Sequence, residues 1–501
     1  CMKKIVILRS LKLIVSICLI LTFLFTPHYV SVEAAKYKND RVAPTAPKNL
    51  TVSTVDQTFV TLKWTASYDK KGVASYQIFQ DSTYVASNNT TCCTIRNLAL
   101  STTYVFFIKA IDYNNHVSPS SNLLTVTTVN PDVPSENENP TTPEQPTIPS
   151  DTKIITGYYA SWSAYSGYTP FSIPASKLTN IHYAFAKIGD DFKIALGDPT
   201  IDRDNFEKLY ALKKTYPHLK TIISIGGWDW SGKFSDVALT NASRTTFADS
   251  VVAFIKQYHF DGVDIDWEYP VSGGLSTNMK RAEDEKNFTL LLQTIKEKLD
   301  TQGVIDGKKY SLSFAGGAGS TYIKNTELNL LYKYVDYAII MTYDLHGPWD
   351  SYTDFNAPLY SPSETSPQYK LSVDSVVNAW ISAGFSPSKI VLGVPFYGYV
   401  YKGATETNNG LYSRYTGGSS MTYDQIVSNY LYNLSYIQCR HAEALVPWLF
   451  NGSAFITYED AASISAKAHY VNTNQLAGVS IWELSQNKNG DLLDALTSNL
   501  N

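Results

Sequence analysis

The segment Asp261–Pro270, DGVDIDWEYP, holds the strongest chemical signal in the chain. On a β-strand successive side chains alternate between faces, so Asp264, Asp266 and Glu268 share one face while Val263, Ile265 and Trp267 take the other. Burying three carboxylates in a row opposes folding, because each desolvated charge costs several kcal/mol unless it is paired or neutralised. Like charges at that spacing cannot all ionise freely, so at least one proton is held to higher pH and the set titrates as a coupled group. Such a group supplies a general acid near neutral pH. Glu268, last in the series, is the candidate proton donor to a leaving group. Asp266 is placed to hydrogen-bond to it or to turn toward substrate, and Asp264 to share a proton with Asp266.

What surrounds this segment narrows the chemistry. The chain carries 36 Tyr and 9 Trp, and aromatic rings offer flat apolar faces suited to stacking on sugar rings. A formal net charge of −4 gives no large field, which argues against nucleic acid or an anionic membrane as partner and favours a neutral polymer. No His or Cys cluster has metal-ligand spacing, so no metal or other cofactor is expected. His346 has no nucleophile paired with it and reads as structural or sugar-contacting. His182, inside an apolar strand, reads as a hydrogen-bonded core residue. The run Ala315–Ser320, AGGAGS, lacks the context of a dinucleotide-binding loop and reads as a tight turn lining a groove. Cys92, Cys93 and Cys439 form no disulfide framework: neighbours on a strand point to opposite faces, and Cys439 is remote.

The elements that must position these residues follow from periodicity. Eight apolar strand-like runs are read at 153–159, 180–187, 220–225, 262–267, 310–314, 335–341, 390–395 and 477–482, with amphipathic stretches between them. Phe247, Val251, Phe254, Ile255 and Tyr258 fall on one helical face, as do Phe288, Leu291, Leu292, Ile295 and Leu299. This pattern predicts a (β/α)8 TIM barrel over 152–501, with a small α+β insertion at about 396–459 between strands seven and eight. The acidic face would then point inward at the C-terminal mouth. Residues 130–151 are rich in Pro, Glu, Asn and Thr and read as a semi-rigid linker. Ahead of them, 43–129 reads as short strands of an all-β sandwich. Residues 1–34 follow the charged, apolar, small-residue order of a cleaved secretory signal peptide, so the protein is expected outside the cell with no membrane attachment after cleavage.

Two resemblances sharpen this reading. With Trp64 in its second strand and Leu98 followed by Tyr104, the N-terminal region resembles a fibronectin type III module, taken here as a spacer. The acidic strand resembles the DxxDxDxE signature of glycoside hydrolase family 18, the chitinase family. The resemblance extends to GYY at Gly157–Tyr159, SIGGW at Ser224–Trp228, MTYD at Met341–Asp344 and Trp482. It implies hydrolysis of chitin or N-acetylglucosamine oligomers with retention, the substrate's own 2-acetamido oxygen attacking C1 to give an oxazolinium intermediate. Under it Glu268 is acid and then base, Asp266 orients the acetamido N–H, and Tyr343 hydrogen-bonds the acetamido oxygen. Met341 and Asp344 complete the wall, and Trp482 is the floor. Tyr158 and Ser224 join the substrate site as supports of Asp264, and Trp228 and Trp349 are outer stacking platforms. A monomer is expected. The alternatives are an endo-β-N-acetylglucosaminidase on glycans or peptidoglycan, and a chitin-binding lectin; the intact Glu268 speaks against the lectin.

Overall fold

The computed structural model describes residues 42–128, apart from 56, 57, 82, 97, 100 and 101, and residues 153–500, apart from 365–369. The expected signal segment at 1–34 and linker at 130–151 lie outside the described residues. The chain falls into two compact units, divided in the sequence near residue 145.

The first unit is a β-sandwich. One sheet is formed by β1 (Lys48–Val55), β2 (Val60–Thr65) and β5 (Cys92–Ile95). The other is formed by β3 (Val73–Gln80), β4 (Thr83–Asn88), β6 (Thr103–Asp112) and β7 (Leu124–Thr127). Alternation sets its core: Val60, Leu62 and Trp64 from β2 meet Tyr76 and Ile78 from β3 and Phe106, Ile108 and Ala110 from β6. Trp64 lies edge-on to Tyr76 at 5.4 Å. The Tyr104 hydroxyl accepts a hydrogen bond from the Ala99 amide at 2.8 Å, fixing the chain where it enters β6. Among the described residues Cys92, Cys93 and Cys439 form no disulfide.

The second unit is built on eight parallel strands: β8 (Ile154–Ala160), β9 (Asn180–Ile188), β11 (Lys220–Gly226), β12 (Gly262–Asp266), β13 (Ser311–Gly316), β14 (Tyr337–Ile340), β15 (Ile390–Pro395) and β21 (Gly478–Trp482). Each pairs with the next, and β8 pairs with both β9 and β21, which closes the barrel; a two-residue strand, β10 (Ile194–Ala195), flanks β9. Outer helices cover it with the apolar faces read from the sequence. Phe247, Val251, Phe254 and Ile255 are buried on α1 (Asn241–Gln257), and Phe288, Leu291, Leu292, Ile295 and Leu299 on α2 (Asp284–Asp306). Between β15 and β21 lies a five-stranded antiparallel sheet: β16 (Tyr397–Lys402), β17 (Gly417–Thr422), β18 (Ile437–Arg440), β19 (Pro447–Phe450) and β20 (Ala454–Thr457), with the short helix Tyr423–Ile426 following β17. Among the described residues no helix is long and apolar enough to cross a membrane.

Candidate active site

Strand β12 carries the acidic residues from the barrel's base to its mouth. At the base Asp261 accepts hydrogen bonds from the Lys213 ammonium at 2.6 Å and the Thr221 amide at 2.9 Å, tying the strand to its neighbour. The outward residues Val263 and Ile265 are fully buried against the helices. Just past the strand, Trp267 stacks on Phe234 at 5.5 Å and meets Phe288 edge-on at 5.6 Å. These apolar anchors fix the register that aims the alternate acids inward.

Asp264 lies deepest and is fully enclosed. Its carboxylate accepts hydrogen bonds from Ser313 at 2.7 Å, Ser224 at 2.9 Å and Tyr158 at 3.0 Å. The His182 Nδ1 stands 3.3 Å from the Asp264 Oδ2, outside hydrogen-bond alignment. Asp266, one step up, is buried, and its Oδ1 has no hydrogen-bond partner. Glu268 lies beyond the last strand residue at the cleft surface, 9% exposed. Its amide donates to Ser231 Oγ at 2.8 Å and its carbonyl accepts from Asn278 at 3.1 Å, so its backbone is pinned although the strand has ended. The Ser231 hydroxyl is held in turn by the Gly227 and Asp266 carbonyls. Gly226, at φ +107°, is required beside this strand, because a Cβ there would fall 2.3 Å from the Asp266 carbonyl oxygen.

The three carboxyls are treated differently. Burial pushes the Asp264 carboxyl up, but His182 and the hydroxyls of Ser313 and Ser224 outweigh it and hold Asp264 below the ordinary value, ionised. Burial, then the charges of Glu268 and Asp264, drive Asp266 well above the ordinary carboxylate range. Burial pushes Glu268 up to about 7; a hydrogen bond with Tyr269 partly offsets this, while Asp344 and Asp229 add to it. The set therefore has an ionised base, a proton-retaining middle member and an outer acid that titrates near neutrality.

Above the acids lies a cleft of about 1010 Å3 whose lining includes Asp266, Glu268, Tyr343, Asp344, Met341 and Trp482. Trp228 and Trp349 also line it and are half or more exposed. The Trp482 ring packs near-parallel to Phe185 at 5.8 Å and edge-on to Tyr158 at 5.2 Å, leaving a supported aromatic surface beside the acids. The Asp344 Oδ1 accepts hydrogen bonds from both the Tyr397 and Tyr399 hydroxyls, and its amide donates to Asn356 at 2.8 Å. Gly317, Ala318 and Gly319, from the AGGAGS run, line the cleft.

Tyr158 and Ser224, expected as supports of Asp264, are almost fully buried beneath the floor and donate their hydroxyls to its carboxylate; they do not line the cleft. Among the described residues no hydrogen bond joins Asp264 to Asp266; the Asp264 carboxylate accepts from the hydroxyls of Ser313, Ser224 and Tyr158. His346 is buried between Asp350 and Asp354 and contacts the Leu371 carbonyl, a structural setting away from the acids. His182 bonds Tyr337 at 2.8 Å through Nε2 and faces Asp264 with Nδ1, so this core residue also tunes the acid array. Sequence reading missed Tyr269, Ser231, Ser313, Trp162, Tyr397 and Tyr399. Tyr269 directly follows the motif, and Tyr397 and Tyr399 stand two apart on β16, a same-face spacing that could have marked them.

Among the described residues no group of His, Cys, Asp and Glu side chains could hold a metal ion. The arrangement suits proton transfer to a leaving oxygen beside an aromatic platform, with a buried acceptor waiting for a polar hydrogen.

Comparison with known proteins agrees with this geometry. The model of the glycosyl hydrolases family 18 matches residues 154–487, and that of the fibronectin type III domain matches residues 45–127. Chitinase A1 of Niallia circulans is 41% identical over 428 residues, which cover 74% of this chain; the match spans 61% of that enzyme's own length. The solved chitinase ChiA74 from Bacillus thuringiensis superposes with a TM-score of 0.67 at 34% identity, covering 70% of each chain. A family 18 N-acetylglucosaminidase from Paenibacillus barengoltzii superposes with a TM-score of 0.64 at 35% identity, covering 70% of this chain and all of that one.

Proposed function

This chain belongs to family 18 of the glycosyl hydrolases, and on that premise we propose that it is a secreted chitinase that cleaves β-1,4 bonds between N-acetylglucosamine units with retention. The observation that carries the mechanism is the unequal treatment of the three carboxyls, above all the buried Asp266 Oδ1 with no partner. A substrate 2-acetamido N–H is a fitting donor for that oxygen. With its nitrogen held there and its oxygen steadied by the Tyr343 hydroxyl, the acetamido group attacks C1 from below. Glu268, protonated up to about pH 7, gives its proton to the departing glycosidic oxygen. The C1–O bond breaks as the C1–acetamido bond forms, and the oxazolinium charge develops beside Asp266. Glu268, now a carboxylate, then takes a proton from water, which attacks C1 from the side the leaving group vacated and regenerates the acetamide. Two inversions give net retention.

The role of Asp264 is electrostatic. Held ionised by its neighbours, it adds its charge to burial and to Glu268 in keeping a proton on Asp266 in the free protein. Trp482 supplies the stacking surface that sets the reacting ring.

The test is the anomeric form of the first products from an N-acetylglucosamine hexamer, followed by NMR. Retention predicts β-anomer first, with mutarotation following. Initial α-anomer, or no hydrolysis, overturns the proposal. A second reading is release of single N-acetylglucosamine units, favoured by the likeness to the Paenibacillus barengoltzii enzyme; a product ladder dominated by monomer from the outset would select it.

A further inference from the structure

Trp349 lines the cleft but is 61% exposed, so burial does little to fix it. Its ring meets Tyr399 edge-on at 5.7 Å and lies over Gly347, where a Cβ would fall 2.2 Å from it. Its place is set by the turn beneath it. The Asp350 amide donates to the Gly347 carbonyl at 2.9 Å, and the Gly347 amide donates to Asp350 Oδ2 at 3.2 Å. Residues 347–350 thus form a closed turn that carries Trp349.

His346 fastens that turn from behind. The residue is 4% exposed and is not among those that line the cleft. Its Nδ1 stands 3.3 Å from the same Asp350 Oδ2 and 3.8 Å from the Asp354 carboxylate, and its Nε2 stands 3.3 Å from the Leu371 carbonyl. Leu371 also lines the cleft, on a segment 25 residues beyond His346. Both ring nitrogens therefore face groups that only accept hydrogen bonds. A neutral imidazole donates to one of them; the imidazolium donates to both. Burial alone would drive the proton off, but the Asp350 hydrogen bond and the charges of Asp354 and Asp350 outweigh it and hold His346 above its ordinary value. Burial pushes Asp354 up to about 6. His441 of the insertion faces Asp354 and has its own Nε2 2.7 Å from Glu364. The Tyr401 and Tyr415 hydroxyls, which feel the Asp350 charge, are raised and stay neutral.

We propose that His346, as an imidazolium, is a positioning residue for the cleft: it clamps the turn that carries Trp349 to the segment at Leu371, and the grip on an oligomer loosens when the ring loses its charge. The inference rests on the chitinase reading. A histidine held above its ordinary value is charged below about pH 6.5 and gives up its proton as pH rises through the raised value, so the clamp is closed in mild acid and open in mild alkali. Its test is calorimetric binding of an N-acetylglucosamine hexamer to the full chain carrying Glu268→Gln, which the mechanism leaves nearly inactive. Between about pH 6.5 and about pH 9 the Kd should rise about fivefold or more. Adding His346→Phe, which keeps a ring without donors, should bring the weaker Kd already at the acid end and hold it within about twofold across the range. Trp349→Ala should likewise flatten the pH dependence, and His346→Phe added to it should cost less than about twofold more, because the clamp has nothing left to hold. The Trp349→Ala arm decides even if His346→Phe does not fold. A Kd that is flat with pH while His346 and Trp349 are both present overturns the clamp. So does a pH dependence that survives either substitution, which would place the titration elsewhere in the cleft, or a His346→Phe penalty undiminished beside Trp349→Ala. If the Glu268→Gln protein binds no hexamer at any pH, the chitinase reading itself falls, and the clamp with it.

Discussion

Two buried acids, one in each unit, show how the same side chain is put to opposite uses. Asp112, at the end of β6 in the N-terminal sandwich, is 1% exposed, and its carboxylate is fully engaged: it accepts from the amides of Asn114 and His116 at 2.8 Å each and meets the His116 ring at 2.8 Å. Burial pushes its carboxyl up, but the His116 and Asn114 bonds outweigh that and hold it below the usual value. Asp266 is as well buried, yet it keeps an unpartnered oxygen and faces two further carboxyls, which with burial drive it well above the usual value. Asp112 is satisfied by its own fold and holds a turn. The Asp266 Oδ1 is satisfied by no described residue, and the fold tolerates the cost at the bottom of a cleft where a ligand can supply what is missing. Burial of an acid therefore says little about function until its acceptor sites are accounted for.

The most severe way to break the contrast is to remove the proton donor while keeping its shape. Glu268→Gln should lower kcat on N-acetylglucosamine oligomers by about 10³-fold, within the range expected for loss of general acid–base catalysis, while calorimetry finds oligomer binding largely retained. Activity near the unmodified level would remove Glu268 from the mechanism. Asp344→Asn is expected to act more mildly and through pH. Glu268 is held at about 7 chiefly by burial, with Asp344 adding to it. The alkaline limb of the kcat/KM profile, where the acid loses its proton, should lie near pH 7 in the unmodified protein. Removing the Asp344 charge should move that limb toward acid. An unmoved or alkaline-shifted limb would show that Asp344 does not act on Glu268.

Linkage gives the two acids opposite slopes. A folded carboxyl raised above its unfolded value binds more protons than the unfolded chain, so its contribution to stability falls as pH rises from the unfolded value of about 4 toward the raised one. Asp266 is that case. Asp266→Asn should flatten this decline, so that between pH 4 and 7 the barrel's unfolding midpoint falls less than in the unmodified protein while hydrolysis is lost by about 10²-fold or more. A variant as steeply pH-dependent as the unmodified barrel would mean that Asp266 carries no displaced proton.

How much of this was open to the sequence depends on what sets each feature. The eight barrel strands and the faces of α1 and α2 were legible because burial imposes a period of two or 3.6 on residue type, as Val263–Ile265 and Phe288–Leu292–Ile295 show. The acidic strand was legible because three carboxyls on an inward face have no structural excuse. The end of β12 was not: reading it through Trp267 placed Glu268 on the strand, whereas the strand stops at Asp266 and Ser231 and Asn278 take over its backbone bonds. The partners of Asp264 were half legible. Tyr158 and Ser224 were associated with it, but Ser313, level with Asp264 on the neighbouring β13, and His182, two strands away on β9, were not, because one chain does not reveal the register that brings them to this carboxylate. The Tyr397–Tyr399 clasp on Asp344 escaped for the same reason, since it joins the insertion to a loop more than 50 residues earlier.

The gentlest test lies at Asp112, where the linkage runs the other way. A folded carboxyl held below its unfolded value stabilises fully above that value, about 3.9 for an ordinary Asp, and loses the contribution as pH falls through the depressed one. Asp112→Asn keeps the volume and some of the hydrogen bonding but removes the charge that faces His116. The sandwich should therefore lose about 1–2 kcal/mol of stability at pH 7, between the worth of a neutral hydrogen bond and that of one to a charged group, and the loss should vanish in acid, where the unmodified carboxyl is also protonated. Turnover of soluble oligomers should be unchanged, because the acid array and the cleft lining described above belong to the second unit. If Asp112→Asn impaired hydrolysis of soluble oligomers, Asp112 would be no mere fastening, and the division between a satisfied structural acid and an unsatisfied chemical one would not hold in this protein.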